Sequence, residues 1–246
     1  LPYLADKGPA FSNAKSIKAS RLAWNGVLHD SRNTMPKIII ISSEQFYHVA
    51  DDNAVKNILS HLYSLSEELV ISCYVREPAS SALSRFQQNI KRTPKFKLRS
   101  NSYYRDTLES YLNKCPESLR VREFNRRTLR RGDIVGDFFS SHIPHFDQDK
   151  ITRVKNANTT MSAEAMALMQ EINREERSLP TASALKTIVK VDREIGGYSR
   201  PRMHTQIRQA IQARCTDLSW LEDKFGIVFP NINPESMSVE RANQLC

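Results

Sequence analysis

The sequence predicts an α/β fold, in which a parallel sheet is flanked by helices and the C-terminal third is helical. Two observations support this fold class. Up to about residue 150, apolar runs of strand length alternate with amphipathic helical patterns. Over 151–246, only helical patterns follow. We therefore expect a single domain, 1–246, with an α/β part over about 1–150 and a helical part over about 151–246.

The sheet is expected to begin with a strand–helix–strand unit. Met35–Ser43 contains four consecutive isoleucines, a β-branched run that predicts a buried strand. Asp51–Ser64 has its apolar residues on one helical face and an aspartate at its start that can cap it. Leu69–Val75 predicts a second strand, and Leu119–Phe124 predicts a third. Because a helix separates the first two strands, they are expected to run parallel through a right-handed crossover.

The remaining periodic segments predict helices, three of them with a capping residue at one end. Pro78 lies in a first helical turn, where its missing N–H has no cost. Asp133 and Ser162 are expected N-caps, and Gly226 is an expected C-cap. The predicted helices are Glu77–Lys91, Tyr103–Asn113, Asp133–His142, Ser162–Arg174, Pro180–Glu194, Met203–Arg214 and Asp217–Phe225. Pro230–Cys246 is weakly patterned and is expected to be a tail.

Composition limits the classes of function. Apolar residues make up 40% of the chain and charged residues 26%, as in ordinary soluble proteins, and no apolar run approaches the roughly 18 residues that cross a bilayer. The net charge of +9 favours anionic partners. No nucleic-acid-binding motif accompanies it. The four cysteines are widely spaced, which argues against a metal site and indicates a reducing, cytoplasmic setting.

One strand-to-helix turn has the residues of an anion site. Arg76 follows the second predicted strand at its carboxyl end, and Ser84 lies eight residues on, about two turns into the next helix. N–H groups and the dipole at a helix N-terminus favour anions, and an arginine and a serine hydroxyl can donate to a phosphate. The spacing alone leaves an alternative open, in which Arg76 pairs with Glu77 or another carboxylate and Ser84 faces solvent.

The Arg76 turn resembles the 3′-phosphate-binding segment of sulfotransferases that use 3′-phosphoadenosine 5′-phosphosulfate. Arg76, Pro78, Ser84 and Phe86 match that segment. Three other stretches resemble bacterial members of the family, in the expected order: 40–46, 121–139 and 156–173. The resemblance spans about residues 22–176 and implies a sheet like that of P-loop NTPases. In distant relatives a basic loop near the C-terminus closes over the 3′-phosphate, and Arg200 is the expected counterpart.

The family also has a Lys-x-Gly-Thr-Thr-Ser loop that holds the 5′-phosphosulfate, and this loop has no counterpart in the chain. Residues 8–16 are a poor match, with one glycine, so we expect the loop upstream of Leu1. Without it the chain would be a catalytically degenerate protein that binds a nucleotide or a glycan. Another transferase or kinase would need Walker-type lysine and aspartate residues around Mg²⁺, which are not visible.

The resemblance implies sulfuryl transfer to a hydroxyl or amine, with a carbohydrate or glycoconjugate as the expected acceptor and no metal. Glu44, at the end of the first predicted strand, is the expected base, with His48 as the other candidate. Ser43, His48, Lys91 and Arg92 are expected to contact the acceptor. The alternatives are that Glu44 caps a turn or pairs with a lysine, that His48 packs at the surface, and that the basic stretch is a solvated loop.

Overall fold

The computed structural model describes residues 13–49, 51–91, 104–152, 161–175, 182–195 and 199–230, together with 232, 237, 238, 241 and 242. Within these ranges the fold is mixed α/β, mostly helical, with one two-stranded sheet. The chain forms two compact units, each made of two segments. The first comprises Leu1–Cys73 and Tyr104–Val121, and the second comprises Tyr74–Tyr103 and Arg122–Cys246. The predicted division near residue 150 stays a prediction.

The α-helices of the described ranges are, in chain order, α1 (Asn13–Thr34), α2 (Asp52–Tyr63), α3 (Pro78–Asn89), α4 (Arg105–Lys114), α5 (Ile134–His142), α6 (Ala163–Glu175), α7 (Ala182–Ile195), α8 (Thr205–Ala213) and α9 (Leu218–Phe225). Helix α1 was not predicted, whereas the other helices overlap the predicted ones. Among the residues that the structure describes, no helix combines the length and apolar character needed to span a membrane.

The sheet consists of strands β1 (Ile71–Val75) and β2 (Leu119–Glu123), which run parallel. Backbone hydrogen bonds set the register at both ends. Ile71 N–H donates to the Ser118 carbonyl at 2.8 Å, and Phe124 N–H donates to the Val75 carbonyl at 2.7 Å. Both strands were predicted. Their carboxyl ends lie side by side at one edge of the sheet, the place where open α/β sheets bind ligands.

The predicted first strand is wrong. Met35–Ser43 contains no strand, and Ile38 and Ile40 are 52% and 50% exposed. A β-branched run has the composition of a strand, but a strand also needs a neighbour for its backbone hydrogen bonds. Within the described ranges the sheet has two strands only, and neither pairs with this segment. A larger sheet like that of P-loop NTPases stays a prediction.

The first unit is held together around α2 and α4. Val55, Ile58 and Leu59 form the buried face of α2. Its first residue, Asp52, accepts hydrogen bonds from the Ser110 hydroxyl and from the Lys114 ammonium of α4, the latter at 2.9 Å. An apolar face and a polar contact at one end therefore fix α2 and α4 together.

The second unit packs α3 between α8 and α6. Ala79 and Ala82 of α3 pack on Ile211 of α8. At the other end of α3, Ile90 packs on Met169 of α6.

The expectation of a C-terminal tail is wrong where that segment is described. Met237 and Ala242 are buried in one cluster with Ala210 and Ala213 of α8. These small alanine side chains let the final segment approach the helix closely, so part of the predicted tail belongs to the core.

The predicted caps are confirmed. Asp51, Asp133 and Ser162 each accept a hydrogen bond from the N–H three residues on, at 2.8, 2.7 and 2.9 Å. Gly226 ends α9 with φ of 65°, the left-handed conformation that glycine adopts without strain. Capping depends on a few adjacent residues, which is why it can be predicted from local sequence.

Candidate anion-binding site

The turn between β1 and α3 has the predicted strand–turn–helix arrangement. Arg76 directly follows the last residue of β1, and Glu77 is the N-cap of α3, with Pro78 in the first turn. Ser84 lies in the second turn of α3 and is half-buried. The structure thus confirms the predicted strand, turn and helix around Arg76. The roles of Arg76 and Ser84 in binding stay predictions.

Arg76 is held at the sheet edge by an aromatic ring. Its Cζ lies 4.0 Å from the centroid of the Phe124 ring, an arrangement that contributes about 0.5–1 kcal/mol at an exposed site. The backbone of Phe124 is hydrogen-bonded to Val75, the residue before Arg76. The same strand end therefore positions both the ring and the guanidinium. Desolvation lowers the pKa of Arg76, and the positive charge of Arg126 lowers it further. Two like charges therefore lie near each other at this edge.

Glu77 occupies the N-terminus of α3. Its carboxylate accepts hydrogen bonds from the N–H groups of Ala79 and Ser80, at 3.1 and 2.8 Å, and from the Ser80 hydroxyl at 2.6 Å. From α8, Gln212 donates to it at 2.8 Å, and Arg208 forms an ion pair at 3.4 Å. Burial raises the pKa of Glu77, but the hydrogen bonds outweigh this effect, so the pKa lies below its usual value.

The Glu77 contacts revise the expected mode of anion binding. We expected the N–H groups at the start of α3 to favour a bound anion. Those of Ala79 and Ser80 donate to Glu77 instead, because the residue before the proline is also the N-cap. An anion at this turn would therefore be bound by side chains, among them Arg76, which directly follows β1.

We expect Glu77→Ala to lower the free energy of unfolding by about 2 kcal/mol. The change removes the N-cap of α3 and leaves Gln212 and Arg208 without their carboxylate. Denaturant unfolding measures the loss. The control is Glu171→Ala, which removes an exposed carboxylate paired with Arg174 in the same unit and should cost under about 0.5 kcal/mol. Equal losses in the two variants would contradict a structural role for Glu77.

A buried carboxylate stabilises the loop after β2. Asp137 of α5 is 0% exposed. It accepts hydrogen bonds from the Tyr74 hydroxyl at 2.7 Å, from two guanidinium nitrogens of Arg122 at 2.8 and 3.0 Å, and from the Arg130 N–H at 3.0 Å. Burial raises the pKa of Asp137, but these hydrogen bonds and the charge of Arg122 lower it below its usual value.

Sequence reasoning missed this role of Asp137. In the sequence, Asp137 was noted only as part of the stretch 121–139, which resembles a family. The available signal was an aspartate within the apolar segment 134–139, because a carboxylate in an apolar helix face is normally paired. Asp137 connects β1, β2, α5 and the intervening loop, and so supports the edge of the sheet where Arg76 lies.

The predicted base and two predicted acceptor contacts lie in the first unit. Glu44 is exposed and begins a short 3₁₀ helix, Glu44–His48, rather than ending a strand. Ser43 is its N-cap, with its hydroxyl accepting the Gln45 N–H at 3.1 Å. His48 is half-buried and lies edge-on to Tyr47, with ring centroids 6.0 Å apart. Ser43 therefore has a structural role, and the chemical roles of Glu44 and His48 stay predictions.

The other predicted acceptor contacts lie after α3. Lys91 donates to the side-chain carbonyl of Gln88, in the last turn of α3, at 3.0 Å. Arg92 lies outside the described residues. Their part in acceptor binding stays a prediction.

Arg200 lies in a segment that is hydrogen-bonded to the start of α6. The carbonyl of the preceding residue, Ser199, accepts the Ala163 N–H at 3.0 Å, and the Ser199 hydroxyl donates to Glu164. Arg200 itself is exposed. It belongs to the same unit as Arg76 and Ser84, and its contact with a 3′-phosphate stays a prediction.

The fold and the site define a mixed α/β protein with a basic edge at the carboxyl ends of two parallel strands. Comparisons with family models, curated proteins and solved structures found no match to this chain. Within the described ranges, no group of three or more His, Cys, Asp or Glu side chains is placed to hold a metal ion. The function is therefore proposed from the site and its sequence motif.

Proposed function

We propose that the chain is a sulfotransferase, with the 3′-phosphate of its nucleotide bound by Arg76 and Ser84. Its donor is 3′-phosphoadenosine 5′-phosphosulfate, and its acceptor is a hydroxyl or amine of a carbohydrate or glycoconjugate. The observation that carries the proposal is the position of Arg76, which extends from the carboxyl end of β1 and rests on Phe124.

The chemistry needs a base and an ordered donor. In the proposed reaction the acceptor oxygen or nitrogen forms a bond to sulfur while the bond from sulfur to the bridging phosphate oxygen breaks. The electron pair stays on the 5′-phosphate of the product nucleotide, and Glu44 takes the acceptor proton. Arg76 and Ser84 hold the opposite end of the nucleotide, so their contribution is orientation. Arginine and lysine side chains supply positive charge in this proposal, which therefore needs no metal.

Arg76→Ala is expected to weaken binding of adenosine 3′,5′-bisphosphate by roughly tenfold to a hundredfold, because it removes a charge-assisted contact of about 1.5–3 kcal/mol. Isothermal titration calorimetry measures the affinity, with adenosine 5′-monophosphate as the reference nucleotide. The control variant is Arg174→Ala, an exposed arginine of α6, which should bind like the unchanged chain. Equal affinity of the unchanged chain for both nucleotides would refute the proposed 3′-phosphate site.

A further inference from the structure

Two loops leave the sheet at the same edge. The last backbone hydrogen bond of the strand pair joins Phe124 N–H to the Val75 carbonyl at 2.7 Å. Arg76 begins the loop after β1, and Phe124 and Arg126 lie in the loop after β2. Because the Arg76 guanidinium rests on the Phe124 ring at 4.0 Å, it lies on the side where the second loop begins.

Asn125 holds the second loop in a tight turn. Its side-chain oxygen accepts the Arg127 N–H at 3.1 Å, and its carbonyl accepts the N–H groups three and four residues on, at 2.9 Å each. Further along, Asp137 accepts the Arg130 N–H at 3.0 Å. The backbone that carries Arg126 is therefore fixed from both sides.

The arginines of this loop differ in their surroundings. Arg130 donates to a backbone carbonyl of α5 at 3.3 Å, and Arg131 lies 3.8 Å from Asp149. Arg126 is exposed, and among the described residues it has no carboxylate partner. Its charge instead acts on Arg76, whose pKa it lowers. Arg126 follows Phe124, the ring on which Arg76 rests at 4.0 Å, by two residues, so the same edge of the sheet carries both arginines.

We infer that Arg126 is a second cation of the Arg76 site and that the two arginines together bind a phosphate monoester. The inference rests on the proposed function, in which Arg76 holds the 3′-phosphate. A phosphate monoester has a charge of about −1.5 to −2 at pH 7. One arginine leaves part of that charge unbalanced, whereas two arginines match it. A bound dianion also offsets the repulsion between the two guanidinium groups.

Two paired arginines favour one class of ligand. Nucleotides with a free 3′-phosphate monoester fit the paired arginines, and a singly charged phosphodiester at the same position fits them less well. The turn at Asn125 positions Arg126, which has no carboxylate partner among the described residues.

Calorimetric titration of the 246-residue chain with adenosine 3′,5′-bisphosphate and adenosine 5′-monophosphate tests the inference. The ratio of the two affinities isolates the 3′-phosphate. Arg126→Gln is expected to lower this ratio about tenfold, and Arg126→Lys should restore part of it. Arg127→Gln, at the adjacent exposed arginine, should leave the ratio unchanged. Without nucleotide, Arg126→Gln should have a melting temperature equal to or above that of the unchanged chain, because it removes a repulsion.

Each result has a distinct meaning. If Arg76→Ala lowers the ratio and Arg126→Gln does not, the inference is overturned and the proposed function stands. A ratio near one for the unchanged chain overturns both. If Arg126→Gln weakens both nucleotides equally, Arg126 does not act on the 3′-phosphate, and the inference is overturned.

Discussion

Asp137→Asn is expected to lower the free energy of unfolding by about 3 kcal/mol, the lower end of the usual cost of removing one partner from a buried ion pair, because Asp137 is buried whereas the Arg122 side chain is 38% exposed. The asparagine has the same shape, but it has no charge to offset the Arg122 guanidinium and cannot accept all four hydrogen bonds. Denaturant unfolding at neutral pH measures the loss. The matched control is Asp149→Asn, whose side chain is 92% exposed and should contribute under about 1 kcal/mol.

Acid provides a second readout of the same carboxylate. The pKa of Asp137 is lowered in the folded chain, so its contribution is fully present above the usual aspartate pKa of about 3.9 and is lost as the pH falls through the lower folded value. The difference in stability between the unchanged chain and Asp137→Asn should therefore be constant near neutral pH and shrink below about pH 4. A difference that grows on acidification would contradict the assignment.

Glu44→Gln is expected to reduce sulfuryl transfer by about 10²–10⁴-fold, the usual contribution of a general base. Glutamine has nearly the same size and can accept a hydrogen bond, but it cannot take the acceptor proton. Affinity for adenosine 3′,5′-bisphosphate should stay within about twofold, because in the proposal the base contacts the acceptor and not the 3′-phosphate. Transfer of labelled sulfate to a panel of glycans measures the rate.

Glu67→Gln is the control for this prediction, since Glu67 is an exposed glutamate of the same unit. Equal turnover in the Glu44 and Glu67 variants would remove Glu44 from the role of base. Nucleotide binding without transfer to any acceptor would favour the degenerate binding protein over the enzyme. Transfer that persists in EDTA would exclude a magnesium-dependent transferase or kinase.

The sequence could predict features that depend on a few adjacent residues. The N-caps at Asp51, Asp133 and Ser162 are confirmed because a cap needs only a short polar side chain and the N–H three residues on. Strands β1 and β2 were also predicted, β1 from an apolar run and β2 from the alternation of apolar and polar residues. In these cases the local signal and the tertiary structure agree.

Features that depend on distant partners were predicted less well. The isoleucine run of Met35–Ser43 has strand composition, but composition does not supply the neighbouring strand that pairing requires. Met237 and Ala242 have weak periodicity and are nevertheless buried, because the alanines of α8 leave room for them. Helix α1 has no strong apolar face and was missed for that reason.

The candidate site divides in the same way. The strand, turn and helix around Arg76 and Ser84 could be predicted from the sequence. Their selection as phosphate ligands came from the family resemblance, and it stays a prediction. The contacts of Glu77 with Gln212 and Arg208, which follow more than a hundred residues later, could not be predicted from the local sequence. That Arg126 and Arg76 lie at one edge of the sheet depends on the pairing of β1 with β2, which the sequence alone did not predict.

The two compact units alternate along the chain, and this has a consequence for biosynthesis. The chain leaves the first unit after Cys73, returns to it at Tyr104 and leaves it again after Val121. A nascent chain therefore contains the whole first unit only when Val121 has left the ribosome. Helix α2 emerges long before Lys114, the partner of its Asp52. We expect folding during translation to be delayed relative to that of domains with contiguous sequence, and no single truncation yields either unit without residues of the other.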